Sequence, residues 1–527
     1  MTPDEVPYSY DVIPYESHSF PQSHPDHLAS LGTLFGLTPA PVTRCRVLEL
    51  GCASGGNLIP MAYHLPESDF VGIDLSKREV EMGQKIIRDL DLKNIRIQHA
   101  NIMDVDGSYG VFDYIIAHGV YSWVPDAVQD KILAISKENL SSNGIAYISY
   151  NTYPGWHIRE MIRHMMLYHT NRFKETKERI EQARALMNFL ASSAPSVNDY
   201  FGLLLKSELD LIRRAEDWYI FHDHLEENNS PVYFHQFMEQ AQKHGLQYLA
   251  EAQFSEMLAS GFSPEVEETL MGISKDIIEA EQYMDFLRNR LFRQTLLCHM
   301  NLSFKRTLVA DNLEGILIAS QADTAGEPID LSPGVKHVFR APNGAKVNTD
   351  FPMTKAALVV LRGTWPEAMN LNTLIKRSKT LLQENLDHYE MAAIEERETL
   401  GEDLLYCFAG NAIEFHTWQA DFVTEVSEQP MASPLAAYQA RHDLPITNQR
   451  HECVNLDFLS KELLKAMDGH RNHKAILDHL VKRAEDGAFE LEETHKQISG
   501  KNHLRHALKS TMEEIIRNLA KSALLLE

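Results

Sequence analysis

The chain of 527 residues has few of the features that mark secreted, membrane-embedded or zinc-binding proteins. It has only five cysteines and no C-x-x-C pair, which argues against a structural zinc site and favours a reducing compartment. No apolar run reaches the length of a membrane-spanning helix, and the polar N-terminus lacks the apolar core of a signal peptide. We therefore predict a cytoplasmic protein that does not insert into a membrane.

Basic residues are also scarce, since 50 lysines and arginines stand against 74 acidic residues and the formal net charge is −24. An acidic surface repels phosphates, so broad binding along a nucleic-acid backbone is disfavoured and we expect no nucleic-acid partner. The chain is longer than one ordinary domain, and its length predicts about two to four of them.

Residues 47–57 are the most informative segment and read Val-Leu-Glu-Leu-Gly-Cys-Ala-Ser-Gly-Gly-Asn. The pattern predicts a strand, a glycine turn and a helix that starts near Asn57, which is the layout of a nucleotide-binding loop. Glu49 would repel a pyrophosphate, but it would attract the ammonium of S-adenosylmethionine (SAM), which has no phosphate. We assign these residues of the segment to a SAM site: Glu49, Gly51, Ala53, Gly55 and Asn57.

A second acid follows at the spacing that a ribose-binding carboxylate requires. Residues 70–73 predict a second strand, and Asp74 ends it where both ribose hydroxyls would be accepted. The alternative makes Glu49 a surface acid and Asp74 a helix N-cap. Asn101 and Ile102 are placed at the adenine, and His118 either acts as a base or, as we favour, holds a backbone carbonyl or the ligand carboxylate. The predicted contacts in this part are Asp74, Leu75, Asn101, Ile102, His118 and Gly119.

Aromatic residues follow the fourth and fifth predicted strands, at the carboxyl ends where such sheets open to substrate. Their faces would attract a sulfonium and an alkylated ammonium, and they would desolvate a lysine so that its neutral amine can attack. The alternative is that these rings only pack a helical insertion onto the sheet. We assign catalytic roles to Tyr121, Trp123 and Tyr153, and a substrate channel to Tyr150, Asn151 and Trp156.

A long helical insertion interrupts the predicted sheet. Residues 157–190 and 199–216 predict helices, and the sheet resumes with a strand at 246–250 and a closing strand at 293–298. The fifth strand is expected at 145–150, after a turn at 141–144. A second insertion is expected between the last two strands, with helices near 256–258 and 277–291.

The character of the chain changes from residue 303. Residues 355–377 and 461–483 match at one constant offset, which predicts two related winged-helix-like units, unless amphipathic helices match by chance. Acidic residues crowd the stretch after the first copy, which opposes DNA docking and favours contact with protein.

The sequence resembles class I SAM-dependent methyltransferases with a methyltransferase regulatory domain, including rickettsial protein lysine methyltransferases. The motifs at 119–125 and 150–156 are its most specific part. The resemblance implies an α/β fold, with a Rossmann-like methyltransferase domain, helical insertions and mostly helical winged-helix-like C-terminal domains. It also implies a helical dimerisation region, hence a homodimer, and a protein substrate. Ala53 and Asn101 depart from the commonest glycine and aspartate of the family pattern.

We expect five regions along the chain. They are a SAM-binding core with an N-terminal lid (1–156), a helical insertion (157–217), the rest of the sheet with the regulatory insertion (218–302), a winged-helix-like domain (303–428) and a second helical, winged-helix-like domain (429–527). The predicted activity is SAM-dependent methylation of a protein lysine, which needs no metal. A small-molecule acceptor, or a non-catalytic SAM-binding scaffold, is the alternative.

Overall fold

The computed structural model describes residues 9–193, 199–386, 393–487 and 501–527. Within these residues a seven-stranded sheet has the order β3-β2-β1-β4-β5-β7-β6. The strand β7 runs antiparallel to its neighbours β5 and β6, and the remaining pairs are parallel. The strands are β1 (Arg46–Leu50), β2 (Asp69–Asp74), β3 (Ile95–His99), β4 (Phe112–Ala117), β5 (Leu140–Asn151), β6 (Leu246–Glu251) and β7 (Phe292–His299). This confirms the Rossmann-like fold and the strands predicted at 246–250 and 293–298.

Successive residues of a strand point to opposite faces of the sheet, and here both sets are apolar. Helices therefore cover both faces. Val47 of β1 belongs to one buried cluster, with residues of α2 and α3, whereas Leu48 belongs to another, with residues of α5 and α10. The helices of this part are α1 (Ser9–Val12), α2 (Pro25–Leu34), α3 (Leu58–His64), α4 (Lys77–Asp89), α5 (Asp126–Glu138), α6 (Trp156–Thr170), α7 (Thr176–Ser193), α8 (Tyr200–Arg214), α9 (Asp217–Tyr219), α10 (Phe234–Lys243), α11 (Pro264–Ile273) and α12 (Ile277–Arg288).

Three local predictions were wrong. The turn expected at 141–144 lies inside β5 as a bulge, because β4 pairs with Leu140 and next with Ile145 and the four residues between them have no partner in that register. The single helix expected at 157–190 is two helices, α6 and α7. The helix expected near 256–258 is a short 3₁₀ turn at Phe254–Met257, and α11 was not predicted.

The two C-terminal units share a short central strand, a hairpin and three helices, and the second unit has an additional helix before its hairpin. The first has a central strand, β8, between β11 and β12, and a hairpin, β9–β10, before its three helices. Its elements are β8 (Leu317–Ala319), β9 (His337–Arg340), β10 (Lys346–Thr349), α13 (Pro352–Thr364), β11 (Met369–Asn370), α14 (Leu371–Asn385), α15 (Ala393–Ala409) and β12 (Glu414–His416). The second has equivalent bridges, Met431 to Asp468 and Ala432 to Leu525. Its elements are α16 (Pro434–Arg441), β13 (Ile446–Thr447), β14 (Cys453–Val454), α17 (Phe458–Ala466), α18 (His473–Glu485) and α19 (Lys501–Lys521).

The constant offset between the two units holds only for their first helices, α13 and α17. The second helix of the second unit begins one turn earlier than that offset requires. Asn370 caps α14 by accepting the N–H of Thr373, and Asn472 caps α18 by accepting the N–H of Ala475, so each cap sets its own helix start.

Candidate functional site

The turn after β1 has left-handed backbone at Gly51, Ala53 and Gly55, with φ of 72°, 47° and 79°. A non-glycine residue rarely adopts this conformation, and the carboxylate of Asp74 holds Ala53 in it. The Asp74 carboxylate accepts the N–H of Ala53 through Oδ2 and the N–H of Ser76 through Oδ1, each at 2.8 Å. Asp74 therefore stabilises the turn that follows the strand with Glu49.

Glu49 is buried, and its two carboxylate oxygens have different surroundings. Oε1 accepts a hydrogen bond of 2.8 Å from the side-chain amide of Asn57, whereas Oε2 is buried with no hydrogen-bond partner. Burial, with a smaller contribution from the charge of Asp74, raises the pKa of Glu49 to about 8. A buried carboxylate without a cation is unfavourable, so this oxygen fits the ammonium group of a ligand.

Asn57 was predicted to contact the cofactor, but its side chain bonds only to other protein groups. Its amide is buried, and both of its N–H groups and its oxygen are hydrogen-bonded within the protein. The side chain therefore orients Glu49, and no polar group of it is left for a ligand.

The N-terminal segment crosses this turn. Ser17 accepts the N–H of Gly56 at 2.8 Å, and a side chain on Gly56 would overlap the backbone of Ser17 and His18. Further along, the hydroxyl of Ser76 donates to Asp11 at 2.6 Å. The segment that was predicted as a lid thus contacts both the turn and the start of α4.

The predicted adenine side is open. Leu75 is 44% exposed, and Asn101 is exposed with its oxygen accepting the N–H of Met103 at 2.9 Å. Ile102 is half-buried against the core, and the N–H of Ala100 donates to the backbone oxygen of Asp74 at 3.0 Å. The apolar side chains of Leu75 and Ile102 and the exposed amide of Asn101 therefore lie at the strand ends beside Asp74, where they could contact an adenine.

His118 lies under the N-terminal segment, with its ring centroid 3.8 Å from that of Phe20. Its Nδ1 is 2.8 Å from the hydroxyl of Tyr147, and the N–H of Gly119 donates to Ser149 at 2.7 Å. Burial lowers the pKa of His118 to about 3, so the ring is neutral and a weak base. This favours the holding role over the role of base.

Two of the predicted aromatic residues lie in the core. Tyr121, predicted as catalytic, is fully buried, and its hydroxyl donates to Gln240 at 2.9 Å. Tyr150, predicted to line the channel, stacks on Phe237 at 4.2 Å and bonds Thr295 at 3.0 Å. The 3₁₀ turn at Tyr121–Trp123 and the alternation of β5 direct these rings under α10. This corrects both assignments.

The other four predicted residues follow two neighbouring strands, with Trp123 after β4 and Asn151, Tyr153 and Trp156 at or just after the end of β5. The rings of Trp123 and Trp156 meet edge to face at 6.2 Å, and Asn151 and Trp156 each have a buried side-chain N–H without a hydrogen-bond partner. Tyr153 donates to the carboxylate of Glu160 at 3.1 Å. Burial and the adjacent Glu160 raise the pKa of Tyr153 to about 12, so its phenol stays protonated.

Sequence reasoning missed three residues around Tyr153. His157 stacks on the Tyr153 ring at 3.9 Å, Tyr233 lies 5.3 Å away, and Glu160 accepts the phenol. His157 and Glu160 lie one helical turn after Tyr153 and Trp156, a spacing that could have indicated them. Tyr233 comes from the segment before α10, and nothing local indicated this contact.

Within the described ranges no three histidine, cysteine or acidic side chains are grouped so that they could hold a metal ion. None of the described helices is both long and apolar enough to span a membrane.

Three family models match the chain in succession. They are a methyltransferase domain at residues 42–200, a predicted methyltransferase regulatory domain at 216–299 and the PKMT C-terminal winged helix domain at 428–524. The last match covers the second C-terminal unit, and the first covers the turn with Glu49 and Asp74.

Full-length relatives are found as well. The Rickettsia prowazekii protein RP789 is 38% identical over 98% of this chain and 93% of its own. RP028 of the same organism is 43% identical over 45% of this chain and 94% of its own. The solved structure of PKMT2 from Rickettsia typhi in complex with AdoHcy is 31% identical, covers 98% of this chain and 100% of its own, and superposes with a TM-score of 0.88.

Proposed function

The chain belongs to the SAM-dependent methyltransferases with a methyltransferase regulatory domain and a PKMT winged helix domain, and on that premise we propose that it methylates lysine side chains of a protein. The proposal rests on the hydrogen bond from Tyr153 to Glu160 and on the rings of His157 and Tyr233 beside it. The likeness to PKMT2 and the PKMT winged helix match support it.

The residues at the first two strand ends fit SAM. We assign the ammonium to the unpartnered Oε2 of Glu49 and the ribose hydroxyls to Asp74. Leu75, Asn101 and Ile102 would hold the adenine, with His118 and Gly119 near the amino-acid end. When bound, SAM supplies a methyl group, and its carbon–sulfur bond breaks as the new nitrogen–carbon bond forms.

The protein's own groups prepare the amine. Trp123, Trp156 and Tyr153 would surround the lysine and lower its pKa by desolvation, so that it loses its proton to solvent before the attack. The Tyr153 hydroxyl gives its hydrogen to Glu160, so its lone pairs are left to accept a hydrogen bond from the amine. This aligns the nitrogen lone pair and holds the positive charge that develops on the nitrogen.

The dimer also remains a proposal. The helical insertion exposes apolar side chains on α7 and α8, with Phe189 63%, Tyr200 74% and Leu203 56% exposed. Exposed apolar surface of this kind is typical of a protein contact. Light scattering of the purified chain would give the mass of the particle.

Incubation with isotope-labelled SAM and a bacterial lysate tests the acceptor, with the Tyr153→Phe variant as the matched control. We expect mass spectrometry to find labelled methyl groups on lysine Nε atoms of protein, and strongly reduced labelling with the variant. Label found only in low-mass material would identify a small-molecule acceptor. No consumption of SAM in any lysate fraction would favour a scaffold.

A further inference from the structure

Asn57 connects the proposed SAM site to the second C-terminal unit. Its Nδ2 donates to Oε1 of Glu49 at 2.8 Å and to the hydroxyl of Ser23 at 3.0 Å. Its Oδ1 accepts the backbone N–H of Phe20 at 2.9 Å and lies 2.9 Å from Nε2 of His451. His451 is 394 residues away in sequence, so a distant part of the chain reaches the residue behind Glu49.

The direction of each hydrogen bond follows from these partners. The backbone N–H of Phe20 can only donate, so the Asn57 atom facing it is the oxygen. The same oxygen faces His451, so Nε2 of His451 carries a proton and donates it. Nδ1 of His451 is buried without a partner, and burial lowers the pKa of the ring well below its ordinary value, which keeps it neutral.

His451 is held rigidly in its loop between β13 and β14. It is 1% exposed and has a left-handed φ of 63°, which a non-glycine residue adopts at a cost. Its N–H donates to the backbone oxygen of Asn448 at 3.1 Å, and the side chain of Asn448 donates to the backbone oxygen of Ser522 at 3.0 Å. The loop is therefore anchored to the C-terminal end of its own unit.

We propose that His451 is a positioning residue for SAM, acting through Asn57 on Glu49. Its Nε2–H and the N–H of Phe20 both require the Asn57 oxygen, so the amide must present Nδ2 to Glu49. The opposite orientation would place two oxygens against each other in a buried site. With Oε1 of Glu49 occupied in this way, Oε2 is left for the ligand ammonium.

This inference depends on the proposed role of Glu49. The second C-terminal unit then contributes to the cofactor site, in addition to any contact that it makes with a substrate. SAM binding and the docking of the loop with His451 are then thermodynamically linked, and each favours the other.

Binding of AdoHcy and of methylthioadenosine to the full chain tests the inference, because methylthioadenosine lacks the amino-acid end. The variants are His451→Phe, which keeps a ring without the donor, and His451→Gln, whose amide N–H reaches as far as Nε2. We expect His451→Phe to weaken AdoHcy about tenfold and methylthioadenosine less than about twofold. His451→Gln should restore most of the AdoHcy affinity.

Equal losses for both ligands would mean that His451 only holds the fold, and unchanged affinities would mean that it has no role. Glu49→Gln separates the two proposals. If it binds AdoHcy as the wild type does, the assignment of Glu49 fails. If it loses AdoHcy selectively while His451→Phe does not, only the role of His451 fails.

Hydrogen exchange of the wild-type protein gives a second test that does not depend on a variant folding. We expect amides of residues 446–454 to exchange more slowly with saturating AdoHcy than with saturating methylthioadenosine. Equal exchange with both ligands would overturn the inference.

Discussion

The backbone N–H of Ala53 donates to the carboxylate of Asp74 at 2.8 Å, which joins the turn after the first strand to the end of the second. The same carboxylate accepts the N–H of Ser76, and each oxygen keeps a lone pair for a ribose hydroxyl. The residue proposed to hold the ribose therefore also shapes the turn.

Asp74→Ala should weaken AdoHcy and methylthioadenosine alike, because both carry the ribose. We expect a loss of about 2–4 kcal/mol from two charge-assisted hydrogen bonds, measured by calorimetry. Asp74→Asn keeps one acceptor oxygen and should lose less. An Asp74→Ala variant with wild-type affinity would refute the ribose contact.

Glu49 should release a proton when SAM or AdoHcy binds at pH 7. Its pKa of about 8 in the ligand-free protein means that it is mostly protonated there, whereas the ligand ammonium requires the carboxylate. Calorimetry in buffers of different ionisation enthalpy should give close to one proton released per AdoHcy. Methylthioadenosine should release none, and release of a proton with that ligand would assign the titration to another group.

Tyr121 and Tyr153 form a matched pair of phenols in different surroundings. Tyr121→Phe removes a core hydrogen bond to Gln240 and should cost about 1 kcal/mol of unfolding free energy, with turnover unchanged. Tyr153→Phe should lower turnover by at least about tenfold with AdoHcy affinity unchanged. The reverse result would support a catalytic role for Tyr121 and exclude one for Tyr153.

Arg293 is fully buried in β7 among three carboxylates. It lies 2.7 Å from Glu251, 3.0 Å from Glu281 and 2.7 Å from Asp285. Arg293→Met leaves these acids buried without their central cation, so we expect a loss of about 3–5 kcal/mol in denaturant unfolding. Arg44→Met breaks an exposed pair with Glu67 and should leave the midpoint almost unchanged. A small effect of Arg293→Met would show that the carboxylates take up protons at little cost.

The parts of the site that sequence reasoning could place are local. Glu49 and Asp74 each end a strand of a simple strand–turn–helix pattern, and such a pattern needs no distant information. The central strands are short, nearly continuous apolar runs that end at or near glycines or acids, so the fold class follows from the sequence.

The parts that failed depend on contacts between distant segments. The direction of Tyr121 is decided by a 3₁₀ turn and by α10, more than a hundred residues later. Residues 141–144 read as a turn but form a bulge inside β5, because β4 pairs with β5 on either side of them, at Leu140 and Ile145. His451 lies in a motif of the family resemblance, but nothing near it in the sequence indicates the proposed role, which requires Asn57 beside it.

A crystal structure of the full chain with AdoHcy tests the central claim most directly. We predict the ligand's amino nitrogen within hydrogen-bond distance of Oε2 of Glu49 and its ribose hydroxyls on Asp74. An amino group bound elsewhere, with Oε2 of Glu49 still without a partner, would contradict the account.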